Sequence, residues 1–283
     1  MTLILDPLDH AFFVRALAAA IIVGTVCAVV GTYVVLKGLA FIGDAISHAA
    51  FPGVVAAFIV KGPFLLGAGI AAVVTALGIG IVSRRARIRT DTAIGVLFAG
   101  TFALGVFLFS TIQGYVADLF SFLFGYLLST TVEDLIGLAI LATIVLAIVA
   151  LLWKELLYAT FDPLGAAASG LRVGWLESLF LALVALTIVM SLQAVGIILV
   201  VAMLVTPAAT AQLLTVRFGR MMAIAIAVGI AASVLGLYVS YWLDAASGAT
   251  IVLVETACFL LALALGPRSG VLSRRRAARA ATT

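Results

Sequence analysis

The stretch GDAISHAAFPG, residues 43–53, sets an aspartate and a histidine inside a run of otherwise apolar sequence. Asp44 and His48 are four residues apart, so on an α-helix they share one face, with Ser47 beside them. Pro52 follows His48 by four. It lacks the N–H that the His48 carbonyl would accept, and its ring clashes with that carbonyl, so the helix is expected to bend there. Gly43 and Gly53 flank the segment and let neighbouring backbones come close. In hydrocarbon an ionisable side chain costs at least ~2.5–3.5 kcal/mol on insertion scales, and two are expensive unless they are used. What surrounds the stretch therefore decides its meaning.

The surroundings are those of a membrane protein. The 283 residues are 65% hydrophobic and 10% charged, with mean hydropathy +1.35. That leaves too little polar side chain to cover a water-soluble domain. Each helical crossing needs roughly 20 apolar residues, and the apolar runs here are continuous rather than alternating, which indicates helices and excludes a barrel. The fold class expected is all-α and polytopic, with spans near 12–36, 42–60, 64–82, 92–110, 134–153, 174–192, 195–215, 221–243 and 250–266. Only the region around Gln193 separates the sixth from the seventh, so eight or nine helices both fit. Asp118 to Ser129, with three phenylalanines, is too short to cross and reads as a re-entrant or interfacial helix. The chain is expected to be one transmembrane domain, 1–283, with spans over about 12–267 and a basic tail, 268–283. Cys27 and Cys258 lie in apolar segments and read as small hydrophobes, not as a disulfide. The first residues, MTLILDPLDH, are acidic and contain Pro7, unlike a cleavable signal peptide.

Basic residues set the expected orientation. With nine spans, Lys37, Arg84, Arg85, Arg87, Arg89, Lys154, Arg172, Arg217, Arg220 and the arginines at 268, 274, 275, 276 and 279 share one side. Only Arg15 and Lys61 are left opposite. The basic side is taken as cytoplasmic, with the C-terminus inside and the N-terminus outside a cell membrane. Asp6, Asp9, Asp118, Glu133, Asp134 and Asp244 fall on the outer side. They either raise the local cation concentration at an entrance or merely balance the basic inner face. The tail is expected to lie against anionic lipid head groups. Nothing suggests nucleic acid.

The pair Asp44 and His48 suits a divalent transition metal. Carboxylate and imidazole accept Mn²⁺, Fe²⁺ or Zn²⁺, and no thiolate points to a softer ion. The same two groups also fit proton handling, or an ion pair that locks two helices. Weaker candidates lie elsewhere. Pro207 is four after Met203, so the seventh span is expected to kink near Thr206, as a hinge on the pathway or as a packing kink. Glu255 is an unusual carboxylate within the last span, open to roles as metal ligand, gate or hydrogen-bond partner. Asp6, Asp9 and His10 have ligand-like spacing, but a mobile terminus is the plainer reading. Between Leu156 and Val173, YATFDPLGAAASGLRVG is too polar to span. Asp162 stands as an N-cap with Pro163 at the first helical position.

Motifs spread along the chain extend this reading. VGTYVVLKGLAFIGDAISHA (30–49) and the overlapping AFIGDAISHAAFPGVVAAF (40–58), then TDTAIGVLFAGTFALG (90–105), FDPLGAAASGL (161–171), ILVVAMLVTPAATAQLL (198–214) and SGATIVLV (247–254), occur in order. Together they resemble the ABC-3 family of metal-ion permeases, the membrane subunits of manganese, zinc and iron importers. The resemblance implies a type II ABC importer-like fold and a homodimer of permease subunits. It implies two cytoplasmic ATP-binding cassette ATPases and an extracellular or periplasmic metal-binding protein. It implies that the short helix carrying Asp162, Pro163, Leu164, Gly165 and Gly170 docks in a groove on the ATPase. No cofactor is expected to stay bound; the metal is cargo. Residue chemistry agrees on one point: Lys37, Lys61 and Lys154 are the only lysines, and none completes a phosphate-binding GxxxxGK[ST], so ATP hydrolysis is expected on another chain.

Other classes make different demands. A proton-coupled secondary metal transporter would work without ATP. A type II importer of a metal chelate would need a wide cavity and would tolerate loss of Asp44. An intramembrane hydrolase would need a GxSxG or HExxH motif, and neither is present. The sequence does not name the metal.

Overall fold

The computed structural model describes residues 6–112 and 127–266. The basic tail and most of the expected re-entrant stretch lie outside these residues. Only Leu127–Ser129 of that stretch is described, as a short 3-10 turn. The described residues form helices with no strand among them.

In chain order these are α1 (Ala11–Leu36), α2 (Ile42–Ala49), α3 (Phe51–Ile59), α4 (Phe64–Ala86), α5 (Thr90–Ser110), α6 (Val132–Leu151), α7 (Trp153–Phe161), α8 (Pro163–Ala168), α9 (Val173–Val195), α10 (Ile197–Leu214), α11 (Phe218–Leu243) and α12 (Ser247–Leu265). α2 and α3 together make one crossing, Ile42–Ile59, interrupted at Ala50. Among the described residues, nine helices or helix pairs are long and apolar enough to cross a membrane.

Local chemistry sets the boundaries. Thr131 and Asp134 cap α6 reciprocally, the Asp134 N–H donating to Thr131 Oγ1 at 3.1 Å and the Thr131 N–H to Asp134 Oδ2 at 3.1 Å. That satisfies donors an isolated helix start leaves open. The sixth and seventh spans are split at Gly196, not at Gln193. Gly196 alone joins α9 to α10, at φ +79°, a backbone state glycine enters without a side-chain clash. Gln193 stays inside α9 and donates from Nε2 to Asp134 Oδ1 at 3.2 Å. The first turn, Asp6–Asp9, is a 3-10 helix, and the His10 ring stacks on Phe12 and tilts against Tyr241.

α1 is the central post. It packs on α10, α11, α6 and α9, and Phe13, Ala16, Ala20, Val23, Val30 and Tyr33 on it are fully buried. Packing between membrane helices rests on shape rather than water exclusion, so small residues gather where backbones cross. At the crossing of α3 on α4 the approach is reciprocal: a Cβ on Gly53 would run into the Gly67 carbonyl, and one on Gly67 into the Gly53 carbonyl. The outer faces of α4, α5, α6 and α12 carry exposed Leu66, Ile70, Val74, Val96, Ile136, Ile140 and Leu253. In water such a surface would aggregate; facing lipid tails it is the stable solution. Lys37, Arg84, Arg89, Lys154, Arg172 and Arg217 fall at one end of the alternating helices.

Candidate functional site

Asp44 and His48 come from α2, the half-span before the break at Ala50. The four-residue spacing brings them together as expected: His48 Nε2 lies 3.5 Å from Asp44 Oδ1. Neither is sealed, since their side chains are 50% and 32% accessible, respectively. Both line a cavity of about 1160 Å³. Its walls are α2 and α3, α5 at Phe102, Val106 and Phe109, the turn at Leu127–Ser129, the α9–α10 joint from Val195 to Val201, and Ala245–Ala249 ahead of and into α12. The α5, α9, α10 and α12 portions are the ends of those helices away from the arginines, whereas Asp44 lies near the start of α2, in the crossing that begins after Lys37. The walls are mainly apolar, and among the described residues Asp44 and His48 are the ionisable ones on them.

Aromatic rings fix the imidazole. His48 is edge-on to Phe102 at 5.3 Å between centroids and tilted against Phe98 at 5.6 Å. Both rings come from α5. Sequence reasoning missed them, because nothing local marks which turn of α5 meets α2. Such contacts contribute about 0.5–1.5 kcal/mol each and set ring orientation. Held this way, a carboxylate oxygen and an imidazole nitrogen face one space. Among the described residues no group of three His, Cys, Asp or Glu side chains converges. Two protein donors are therefore present, and water, carbonyls or another subunit must complete any metal shell.

The other sequence candidates are distributed differently. Ser47 is fully buried and donates its hydroxyl to the Gly43 carbonyl at 2.8 Å, so it is used within its own helix. Pro52 is buried, does not line the cavity, and sits where a Cβ on Gly105 would lie 3.0 Å from its Cδ. It serves the α3–α5 contact. α10 runs as one helix through Pro207, and its share of the cavity wall ends at Val201. Thr206 and Pro207 therefore lie off the cavity. Glu255 is buried in the bundle and also does not line it.

The expected cap at Asp162 is present: the Gly165 N–H donates to Asp162 Oδ1 at 2.8 Å, with Pro163 opening α8. Gly170 has φ +90° and turns the chain after α8. Leu164 stands 84% exposed on this helix, with exposed Phe161 just before it.

Fold and cavity together define a multi-pass helical membrane protein with an ionisable pair on the wall of a mainly apolar cavity. The chain belongs to the ABC 3 transport family, whose model matches residues 9–266. It is 45% identical over 267 residues to the manganese transport system membrane protein MntC of Halalkalibacterium halodurans, covering 94% of this chain and 91% of that protein. It is 39% identical over 275 residues to the chelated iron transport system membrane protein YfeC of Yersinia pestis, covering 97% and 93%. Among solved structures it is similar to PsaBC from Streptococcus pneumoniae in complex with Fab, with TM-score 0.83, 36% identity, and 96% and 98% of the two chains covered.

Proposed function

We propose that this chain is the membrane-spanning permease subunit of an ATP-driven importer for divalent transition-metal ions, with Mn²⁺ and Fe²⁺ the foremost cargo. The observation that carries the reading is the Asp44–His48 pair, which supplies the ionisable side chains of the cavity walls. An oxygen and a nitrogen donor suit borderline and harder divalent ions. The names of the manganese and iron transport relatives support the same cargo. Zn²⁺ fits these ligands too.

In this reading a binding protein docks on the outer face and releases the cation into the cavity. Asp44 and His48 replace part of its hydration shell. A second copy of the chain, water or carbonyls supply the remaining positions. The site must bind strongly enough to select and weakly enough to release. Proton and metal compete for the imidazole lone pair, so capture weakens on acidification. ATP is hydrolysed by two cytoplasmic ATPases. The α8 turn, with exposed Leu164 and Phe161, is the surface that receives their motion.

The test is metal uptake into proteoliposomes holding this chain and its ATPase, with binding protein and Mn²⁺ outside. Wild type should accumulate Mn²⁺ only with ATP, and His48→Ala and Asp44→Ala should each abolish accumulation. Uptake without the ATPase, driven by a proton gradient, would replace this reading with a secondary transporter. A second reading has one observation in its favour: a largely apolar cavity of about 1160 Å³ exceeds what a bare ion needs. An importer of a metal chelate would keep its uptake in Asp44→Ala, which separates the two.

A further inference from the structure

Glu255 stands apart from the cavity. It lies on α12, is fully buried, and neither Oε1 nor Oε2 has a hydrogen-bond partner. α12 packs along α10 and α11. A Cβ on Gly248 would lie 3.8 Å from Leu199 Cβ, and one on Gly266 would lie 3.4 Å from the Leu213 carbonyl. The two helices therefore run side by side in the same direction, and by this register Glu255 falls beside the middle of α10. The middle of α10 also meets α2: a Cβ on Gly43, next to Asp44, would lie 3.1 Å from Leu204 Cδ2.

The neighbours of Glu255 leave it few options. Cys27 of α1 is within its electrostatic reach and is itself 3.9 Å, Sγ to Oγ, from Ser191 of α9. α10 contains no charged residue, and on α11 the ionisable groups are Arg220, Tyr238 and Tyr241, near its two ends. Two bare carboxylate oxygens in a low-dielectric bundle require a cation. Among the described residues no cluster of three metal-binding side chains includes Glu255, and no Lys or Arg reaches it. The smallest cation is left.

We propose that Glu255 is a proton-binding site within the bundle, occupied in the folded protein and independent of the metal pair on the cavity wall. As a neutral acid the side chain has one O–H to donate and one carbonyl to accept. The chain then has two ionisable centres with different ligands: a metal at Asp44 and His48, a proton at Glu255.

Infrared spectroscopy on the full chain in lipid nanodiscs at neutral pH tests this directly. Wild type should show a protonated-carboxyl C=O band. Glu255→Gln should lose that band. Glu255→Gln should also keep ATP-driven Mn²⁺ uptake, since the amide copies the size and neutrality of the acid. A wild-type spectrum without the band, or a band unchanged in Glu255→Gln, would overturn the proposal. So would a folded Glu255→Gln protein that no longer takes up Mn²⁺, since the negative charge would then be what matters. If Glu255→Gln does not insert, Glu255→Met decides: loss of the band supports the site and a retained band refutes it. Loss of uptake in Asp44→Ala bears only on the cavity, so the two readings fail separately.

Discussion

Arg84 and Glu177 tie the end of α4 to the start of α9, with Nη1 3.1 Å from Oε2. The same guanidinium donates to Ser178 Oγ at 3.1 Å and to the Gly174 carbonyl at 3.3 Å. α9 begins just after α8, so the clasp sits where motion received at α8 would enter the long spans. Lys37 lies nearby over the Phe180 ring at 5.7 Å. Burial holds its ammonium below the ordinary lysine value, and the Glu177 carboxylate opposes that shift.

Breaking this clasp should affect coupling more than stability. Both partners are over one-third accessible, and exposed ion pairs contribute only ~0.2–1 kcal/mol. Arg84→Ala is expected to lower Tm by a few degrees at most, yet to reduce Mn²⁺ taken up per ATP hydrolysed. The check is uptake and phosphate release measured in the same proteoliposomes. Glu177→Ala should do less, because Arg84 keeps Ser178 and the Gly174 carbonyl.

The α3–α4 crossing is set by Gly53 and Gly67, each of whose added Cβ would strike the other's backbone carbonyl. Backbone cannot yield as a flexible side chain does. Gly53→Ala is expected to cost about 1–3 kcal/mol, the range for overpacking, and Gly53→Val more. Thermal unfolding in detergent measures this. Because α3 continues the crossing that begins with α2, Gly53→Ala should also weaken metal capture at Asp44 and His48.

His48 depends on α5 for its orientation. Removing the edge-on ring in Phe102→Ala takes away about 0.5–1.5 kcal/mol of contact and leaves Asp44 and His48 chemically intact. The expected result is a rise of roughly two- to twelvefold in the Mn²⁺ concentration for half-maximal uptake, by the relation of 1.4 kcal/mol to a factor of ten. Phe102→Leu, which fills part of the space without the ring's edge and face, should fall between. Equal uptake curves for all three proteins would show that the ring plays no part in capture.

How much of this could be read in the sequence differs between fold and site. The spans were legible because membrane helices announce themselves by uninterrupted apolar runs, and the nine crossings fall close to the stretches expected. The split between α9 and α10 was placed at the polar Gln193, but Gly196 makes it, because backbone conformation and not polarity ends a helix. Asp44 and His48 were legible because a four-residue spacing fixes a shared face. What they look into was not, since Phe98 and Phe102 come from a distant segment. Pro52 was legible as a helix breaker, and the crossing is interrupted at Ala50, but that Ser47 returns to its own helix and Pro52 packs against α5 was not. Glu255 was visible as an oddity, but its direction was not. An almost uniformly apolar helix carries no signal for which side faces lipid.

Leu164 gives the sharpest separation of folding from assembly. It is 84% exposed on α8, so little of the chain's own packing rests on it, whereas Asp162 holds the helix start through the Gly165 N–H. Leu164→Asp is expected to leave Tm nearly unchanged while abolishing co-purification with the ATPase. Asp162→Ala should cost about 0.5–2 kcal/mol locally, as lost N-caps do, and fray α8, giving partial co-purification. Asp162→Asn keeps a capping oxygen and should behave as wild type. Pull-down of the tagged chain with its ATPase, beside melting curves of the chain alone, distinguishes these outcomes. If Leu164→Asp binds the ATPase normally, α8 is not the docking surface, and the drive must enter through another part of the arginine-bearing face.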